Sequence, residues 1–388
     1  MQSEISQANN FGSNSCKKSA RIGLEYSTNA TFVQTTNCHI PESLENKRWE
    51  LRSDCSESRQ NRVRVEDFKF LKTIGRGQFG KVFLAKSNET NEAFAIKVLD
   101  KSRLRKPKEL DHVMSERNVL VKVLKHPFLC SLRFCFQTMN KLYFVLDYVN
   151  GGELFYHLQR EHAFAEPRAR FYAAEIACAL GYLHSENVIY RDLKPENILL
   201  DSQGHIVLTD FGLCKEMLDQ GDRTSSFCGT PEYLAPEVLR KEPYDFAVDW
   251  WCFGSVLYEM LYGLPPFYSK NRQEMFRAIQ TRPLKLRDTI SYQAKLILSG
   301  LLRKSKTERL GSHLGFSEIR DHEFFIGLDW EALKARRIQA PYIPSVRSQT
   351  DTRNVSSEFI HDSIPGKFCP KFKNKLSINK FLIGLHPI

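Results

Sequence analysis

One stretch of thirteen residues constrains this 388-residue chain more than any other. In Val188-Ile-Tyr-Arg-Asp-Leu-Lys-Pro-Glu-Asn-Ile-Leu-Leu200, the polar trio Asp192, Lys194 and Asn197 is spaced two and three residues apart. An apolar lead-in that reads as a strand precedes the trio, and an apolar exit follows it. Alone, Arg-Asp-x-Lys-x-x-Asn is also a spacing that a helix-capping turn produces by chance. Its meaning depends on what surrounds it.

The chain has room for one large domain or two ordinary ones, plus tails. Hydrophobic residues make up 42% and charged residues 26%, the balance of a soluble globular protein. The net charge of +11, from 56 basic and 45 acidic residues, invites a nucleic-acid reading. Basic clusters occur at Lys101–Lys108 and Lys367–Lys380. No zinc spacing, RNA-recognition signature or basic-leucine-zipper pattern accompanies them, so solvated surface charge is favoured and no nucleic-acid partner is expected. The ten cysteines (residues 16, 38, 55, 130, 135, 178, 214, 228, 252 and 369) include no C-x-x-C pair, which suits reduced thiols of the cytosol or nucleus. There is no signal-like apolar segment after a basic start, and no run of ~18 apolar residues. The expectation is a cytoplasmic protein with no transmembrane segment, with the nucleus as a second location if Lys101–Lys108 acts as an import signal.

Residues 1–66 are rich in Ser, Asn, Gln, Thr and charge and keep no period, so they read as a disordered N-terminal segment. Order begins at Asp67–Gly75, where apolar residues alternate as in a strand. It runs into Gly75-Arg-Gly-Gln-Phe-Gly80, whose glycines leave the backbone free to close over phosphates. A dinucleotide-binding turn shares that spacing but opens a helix; here Val82–Lys86 reads as a second strand. A third strand carries Lys97 among Ile96, Val98 and Leu99, and a helical pattern over Leu110–Leu124 carries Glu116. Two more strands (Leu132–Gln137, Lys141–Tyr148) lead to Gly151-Gly152. Helices are expected over Glu153–Gln159, Glu166–Ser185, Asn271–Thr281 and Ser291–Leu302, with Val248–Leu261 apolar nearly all round and therefore buried. Asp210-Phe-Gly212 lies 18 residues after Asp192 and Ala235-Pro-Glu237 follows.

In this order and at these distances, the glycine stretch, Lys97, Glu116, the Asp192 loop, Asp210-Phe-Gly and Ala-Pro-Glu resemble a protein kinase over Phe68–Phe325. The resemblance implies an α+β, bilobal fold with a small β-rich N-lobe and a larger helical C-lobe. The catalytic domain would be 67–325, with a C-terminal extension over 326–388. It implies ATP and Mg2+ as cofactors: Asp192 accepts the substrate hydroxyl proton, Lys194 and Lys97 offset phosphate charge, Glu116 pairs with Lys97, and Asn197 and Asp210 hold the metal. Nucleotide contacts would come from Ile74, Gly75, Arg76, Gly77, Gln78, Phe79, Gly80, Lys81 and Val82. Ala95, Asp147, Val149, Glu153 and Leu199 would complete the cleft, with Leu146 at its back. Thr230 would bond Asp192 and Lys194, Glu237 would pair with Arg309, and Asp249 would cap the catalytic loop.

Tyr190-Arg-Asp, Ser226-Phe-Cys-Gly-Thr-Pro-Glu-Tyr-Leu-Ala-Pro-Glu237 and Ala247-Val-Asp-Trp-Trp251 are similar to the AGC group of Ser/Thr kinases. Leu142–Arg160, Leu239–Asp245 and Leu264–Ser269 resemble the serum- and glucocorticoid-regulated kinases. That family implies substrates of the form Arg-x-Arg-x-x-Ser/Thr, read by Glu153 and Glu196, and a role in ion-transport or survival signalling. It also implies an activating phosphate on Ser226, placed by an upstream phosphoinositide-dependent kinase. The tail departs from the family. Val355 stands where an aromatic residue is usual, and Ile378–Ile388 lacks the second aromatic and the phosphoacceptor of the family's terminal motif. That departure is what a kinase-shaped scaffold would show; the full set of chemical residues opposes it. Pro265-Pro-Phe-Tyr268 fits a WW-domain ligand, with loop packing as the plainer reading. Cys214 and Cys228 bracket the activation segment as a conceivable redox pair, with two reduced thiols as the default.

Overall fold

The computed structural model describes residues 63–360 except 78, 124–125 and 219–220. The readings of residues 1–62, of Gln78 and of the terminal motif Ile378–Ile388 lie outside the described residues. Five antiparallel strands form the small lobe in the order β1-β2-β3-β5-β4: β1 Phe68–Gly77, β2 Gly80–Ser87, β3 Ala93–Asp100, β4 Leu132–Gln137 and β5 Lys141–Asp147. Because side chains alternate along a strand, one face gathers Phe83, Phe94, Ile96, Val98, Tyr143 and Val145 into an apolar cluster closed by Val65 and Phe68. The register pairs Val82 with Lys97 and Ala95 with Leu146, so these four fall on the other face, toward the helical lobe. Helix Pro107–Lys122 packs on that side and buries Glu116 to 5% exposure.

The large lobe is built around helix Ala247–Tyr262, of which Ala247 to Leu261 are all buried. Helices Glu166–Ser185 and Tyr292–Leu301 pack against it. The latter comes close because residue 254 is glycine; a Cβ there would lie 2.7 Å from that of Leu301. Asn271 and Ser291, expected within helices, stand just before them as caps, each accepting a backbone N–H through its side chain. Arg309 meets Glu237 through two parallel bonds of 2.6 and 2.8 Å, both side chains essentially inaccessible. Beneath the small lobe, two short strand pairs brace the Asp192 loop: Val188–Ile189 with Lys215–Glu216, and Ile198–Leu200 with Ile206–Leu208.

Candidate active site

The loop between those strand pairs is held from below. Asp249, fully buried on the central helix, accepts the backbone N–H groups of Tyr190 and Arg191 at 2.8 Å each. His184 bonds the same carboxylate at 2.8 Å. This grip holds Arg191 in the left-handed region at φ +68°, a conformation that a non-glycine residue keeps only when its surroundings impose it. Next in the chain, Asp192 accepts Thr230 Oγ1 on one oxygen at 2.7 Å and Asn197 Nδ2 on the other at 3.0 Å. Lys194 Nζ lies 3.1 Å from that second oxygen and donates to Thr230 Oγ1 at 2.8 Å. Asn197 Nδ2 also donates to the Asp192 carbonyl at 2.9 Å, so its amide nitrogen is committed and its amide oxygen is the end left for a cation.

Above the loop, Lys97 Nζ lies 2.5 Å from Glu116 and 3.4 Å from Asp210. Burial works against the lysine charge, but the two carboxylates outweigh it and hold the ammonium above its usual pKa. In turn Lys97 keeps the Asp210 carboxyl below the usual range. Asp210 also has positive φ, +54°, while Phe211 is buried against Tyr190, ring centroids 5.8 Å apart. The glycine stretch divides by role. A Cβ on Gly80 would strike the Val98 carbonyl at 1.8 Å, whereas Gly77 faces open space and Gly75 only the side chain of Val82 at 3.5 Å. Gly80 is thus required by the sheet, and Gly75 and Gly77 leave a cradle that side chains would fill. Ile74, Phe79, Lys81, Val82, Ala95, Val149 and Leu199 are half-buried, while Arg76 is exposed at the strand tip. Asp147 spends its side chain on Arg133 at 2.5 Å and on the Ser131 N–H.

The protein kinase domain family matches residues 68–325. Serine/threonine-protein kinase Sgk1 of Gallus gallus and of Homo sapiens are each 60% identical to the chain over 303 residues, covering 78% of this chain and 70% of theirs. Sgk1 of Danio rerio is 61% identical over the same span. The chain belongs to the serum- and glucocorticoid-regulated branch of the protein kinases. It is a serine/threonine protein kinase, and the two-lobed fold expected from the sequence is the one observed.

Glu153 and Glu196 come close enough for the Glu196 charge to add to burial in raising the Glu153 carboxyl. Glu196 is raised as well, chiefly by burial, and its Oε2 is a buried oxygen without a hydrogen-bond partner among the described residues. Two further carboxylates join this region that the sequence reading did not single out, Glu232 and Glu259. Burial lifts Glu259 to about 7, with Glu196 and Glu232 adding to the rise and a hydrogen bond from Tyr233 Oη at 2.5 Å opposing it. The available signal was the isolation of Glu259 in the apolar run Ser255–Leu261. In the activation segment Ser226 is exposed. Arg191 meets only neutral oxygens among the described residues: the carbonyls of Leu213 (2.6 Å) and Cys214 (3.4 Å) and the Tyr244 hydroxyl (3.4 Å).

Three subsidiary readings fare less well. Pro265 and Phe267 are buried, Phe267 stacks on Trp251, and the Tyr268 N–H turns back to the Pro265 carbonyl at 3.3 Å. The segment is a packed turn, whereas a WW ligand is an open polyproline-II helix. Cys214 is a buried free thiol pushed far up by burial, and Cys228 is free too, which favours two reduced thiols. Lys101 is drawn out of its basic run by bonds to Gln137 Oε1 and the Thr138 carbonyl.

Proposed function

We propose that this kinase transfers the γ-phosphate of Mg-ATP to Ser or Thr in Arg-x-Arg-x-x-Ser/Thr sequences, in the cytoplasm. Asp192 orients the substrate hydroxyl and takes its proton, with Thr230 and Lys194 fixing the carboxylate. Lys97, positioned by Glu116, and Lys194 offset phosphate charge. Asn197 and Asp210 present oxygen donors of the kind a hard cation prefers, and the anionic state of Asp210 is secured by Lys97. Magnesium bound there supplies charge neutralisation for the phosphates. Among the described residues no group of three or more His, Cys, Asp or Glu side chains could hold a metal; a magnesium site that draws most of its ligands from phosphate and water needs none. Phosphorylation of Ser226 by an upstream phosphoinositide-dependent kinase gives Arg191 an anionic partner and orders the segment.

The observation that carries the substrate preference is the convergence of Glu153, Glu196, Glu232 and Glu259, with one Glu196 oxygen buried and unpartnered. Carboxylates that raise one another's pKa are relieved by a shared cation, and a guanidinium supplies two donors in a planar fork. The test is phosphate transfer to an Arg-x-Arg-x-x-Ser peptide before and after an activating kinase treats Ser226, with Asp192→Asn as control. Transfer that rises with the Ser226 phosphate and vanishes in the control supports the assignment. Binding of Mg-ATP without transfer in either state overturns it.

A further inference from the structure

The helix that carries Glu116 is tied to the large lobe at two points. Along Pro107–Lys122 the side chains of Val113, Val119 and Leu120 are buried, but apolar packing is non-directional and does not by itself stop a helix from sliding. Hydrogen bonds are directional and can. Ser115 Oγ, beside Glu116, donates to the Cys214 carbonyl at 3.4 Å. Lys122 Nζ, in the last turn, donates to the Glu186 carbonyl. The two donors are seven residues apart in the chain, about 10 Å along the helix. Their acceptors flank the strand pair Val188–Ile189 and Lys215–Glu216, whose antiparallel register sets Val188 against Glu216 and Ile189 against Lys215. Glu186 and Cys214 therefore stand at opposite ends of the pair that leads into the Asp192 loop.

We propose that Lys122 is a positioning residue for phosphoryl transfer. Its bond to the Glu186 carbonyl seats the helix on the large lobe, holds Glu116 against Lys97, and so aims the Lys97 ammonium at the nucleotide phosphates. The proposal rests on the reading of Lys97 as a phosphate contact given above. The acceptor suits a cation. Glu186 caps the C-terminus of helix Glu166–Ser185, where the helix dipole concentrates negative charge, and Lys122 stands at the same end of its own helix. The acceptor is also fixed in place. The Glu186 N–H bonds the carbonyls of Tyr182 and Leu183 at 3.1 Å each, the Asn187 N–H bonds that of His184 at 3.0 Å, and the Asn187 carbonyl accepts the Met217 N–H at 2.8 Å. Asn187 meets these demands in the left-handed region, at φ +57°.

Lys122 is six residues from Glu116 in the chain, and its influence runs through the helix between them. Held by Ser115 alone, through a bond at the long limit for a hydroxyl, the helix is free to turn about that point. A small turn matters because Lys97 Nζ lies 2.5 Å from Glu116 and 3.4 Å from Asp210. If Glu116 withdraws, Asp210 is left as the lysine's carboxylate partner and competes with the phosphates for it. The lobe connection, where adenine would bind, lies outside this helix. The effect should therefore fall on the phosphates and spare the adenine end of the cleft.

The test measures kcat and the KM for ATP in the full-length chain, with a phosphoacceptor peptide drawn from a Ser/Thr library, together with adenosine affinity and melting temperature. Lys122→Met keeps the apolar stem and removes the ammonium. It should lower kcat/KM for ATP about fivefold, the loss of one exposed charge-assisted bond. Adenosine affinity, peptide KM and melting temperature should not change. Lys122→Arg keeps a cationic donor and should restore most of the loss. Because Lys122 is exposed, both variants keep their fold. In a Glu116→Gln background, Lys122→Met should lower kcat/KM by less than about twofold, since the two residues act through one contact. An unchanged kcat/KM in Lys122→Met overturns the proposal. So does an undiminished loss in the Glu116→Gln background, which would make Lys122 independent of Glu116. A parallel drop in adenosine affinity or melting temperature overturns it too, by making the bond merely structural. Lys97→Met is the control for the underlying reading: if it leaves kcat/KM for ATP unchanged, Lys97 is no phosphate contact, and this proposal falls with that reading.

Discussion

Around Asp192, the carboxylate is answered on both oxygens by neighbours from the same lobe, Thr230, Asn197 and the charged Lys194. The strap that runs past the lobe connection at residues 345–356 is held differently. Tyr148 Oη donates to the Asp351 carbonyl at 2.7 Å, and Asn150 Nδ2 to that of Ser348 at 3.2 Å. Asn354 returns a bond to the Asn150 carbonyl at 3.0 Å, and Lys72 on β1 reaches Thr352 Oγ1 at 3.0 Å. The catalytic loop is a network of charged and polar groups closed within one lobe; the strap is a row of single bonds, mostly to carbonyls, that ties it to the lobe connection and to β1. A closed network of charges is stiff before any ligand arrives. The strap's bonds contribute about 1 kcal/mol each and hold only while the lobes keep their spacing. Disruption of the loop should therefore abolish chemistry, whereas disruption of the strap should loosen nucleotide binding.

The largest effect belongs to Asp192→Asn. Expected is a fall in kcat of about 10³-fold, roughly 4 kcal/mol, with little change in melting temperature, since an amide can keep most of the contacts. A melting temperature that collapsed with activity would mean that Asp192 is chiefly structural. Next comes Glu237→Ala, which strands the buried Arg309 guanidinium. Removal of one partner from a buried bidentate pair costs about 3–5 kcal/mol, to be read as a shift of the urea midpoint at unchanged slope. A loss under about 1 kcal/mol would show that water reaches Arg309.

Much of the catalytic site was legible because its chemistry fixes residue types at fixed separations. Lys97 needs a strand that turns it toward the cleft, Glu116 a helix facing that strand, and Asp192 and Asn197 one loop, and each leaves a local pattern. Glu232 and Glu259 escaped because their proximity exists only in space, where residues 153, 196, 232 and 259 converge from separate segments. The strap escaped for another reason: most of its partners are backbone carbonyls, which every residue type possesses. Thr352 and Asn354, both buried, look in sequence like the polar residues of any exposed turn. The Pro265–Tyr268 stretch shows the converse, since an apolar loop motif reads alike whether presented to a partner or, as here, stacked on Trp251.

The proposed arginine-binding cluster of Glu153, Glu196, Glu232 and Glu259 lies between these extremes and gives a pH-dependent test. Glu259 titrates near 7, so acidification from pH 8 to pH 6 neutralises it. The KM for an Arg-containing peptide should rise several-fold over that range, and Glu259→Gln should raise it at pH 8 and flatten the profile. For stability the sign is opposite. The folded protein holds this proton more tightly than the unfolded chain, so the stabilisation is complete below the ordinary carboxyl range and is lost as pH rises through about 7. A peptide KM that does not change between pH 6 and pH 8 would remove Glu259 from substrate binding.

The smallest expected effect tests the strap directly. Asn354→Ala removes the amide bond to Asn150 beside Gly152, a glycine at φ +92° where a Cβ would lie 2.8 Å from that of Asn354. The loss of one such bond costs about 1 kcal/mol, equivalent to a KM for ATP about fivefold higher, with kcat and melting temperature nearly unchanged. Tyr148 and Asn150 donate to carbonyls of the strap, and the Asn354 amide returns a bond in the other direction. A fall in kcat with KM unchanged would place Asn354 in the chemical step and erase the contrast with the catalytic loop. No change in either parameter would mean that the bonds from Tyr148, Asn150 and Lys72 suffice to hold the strap.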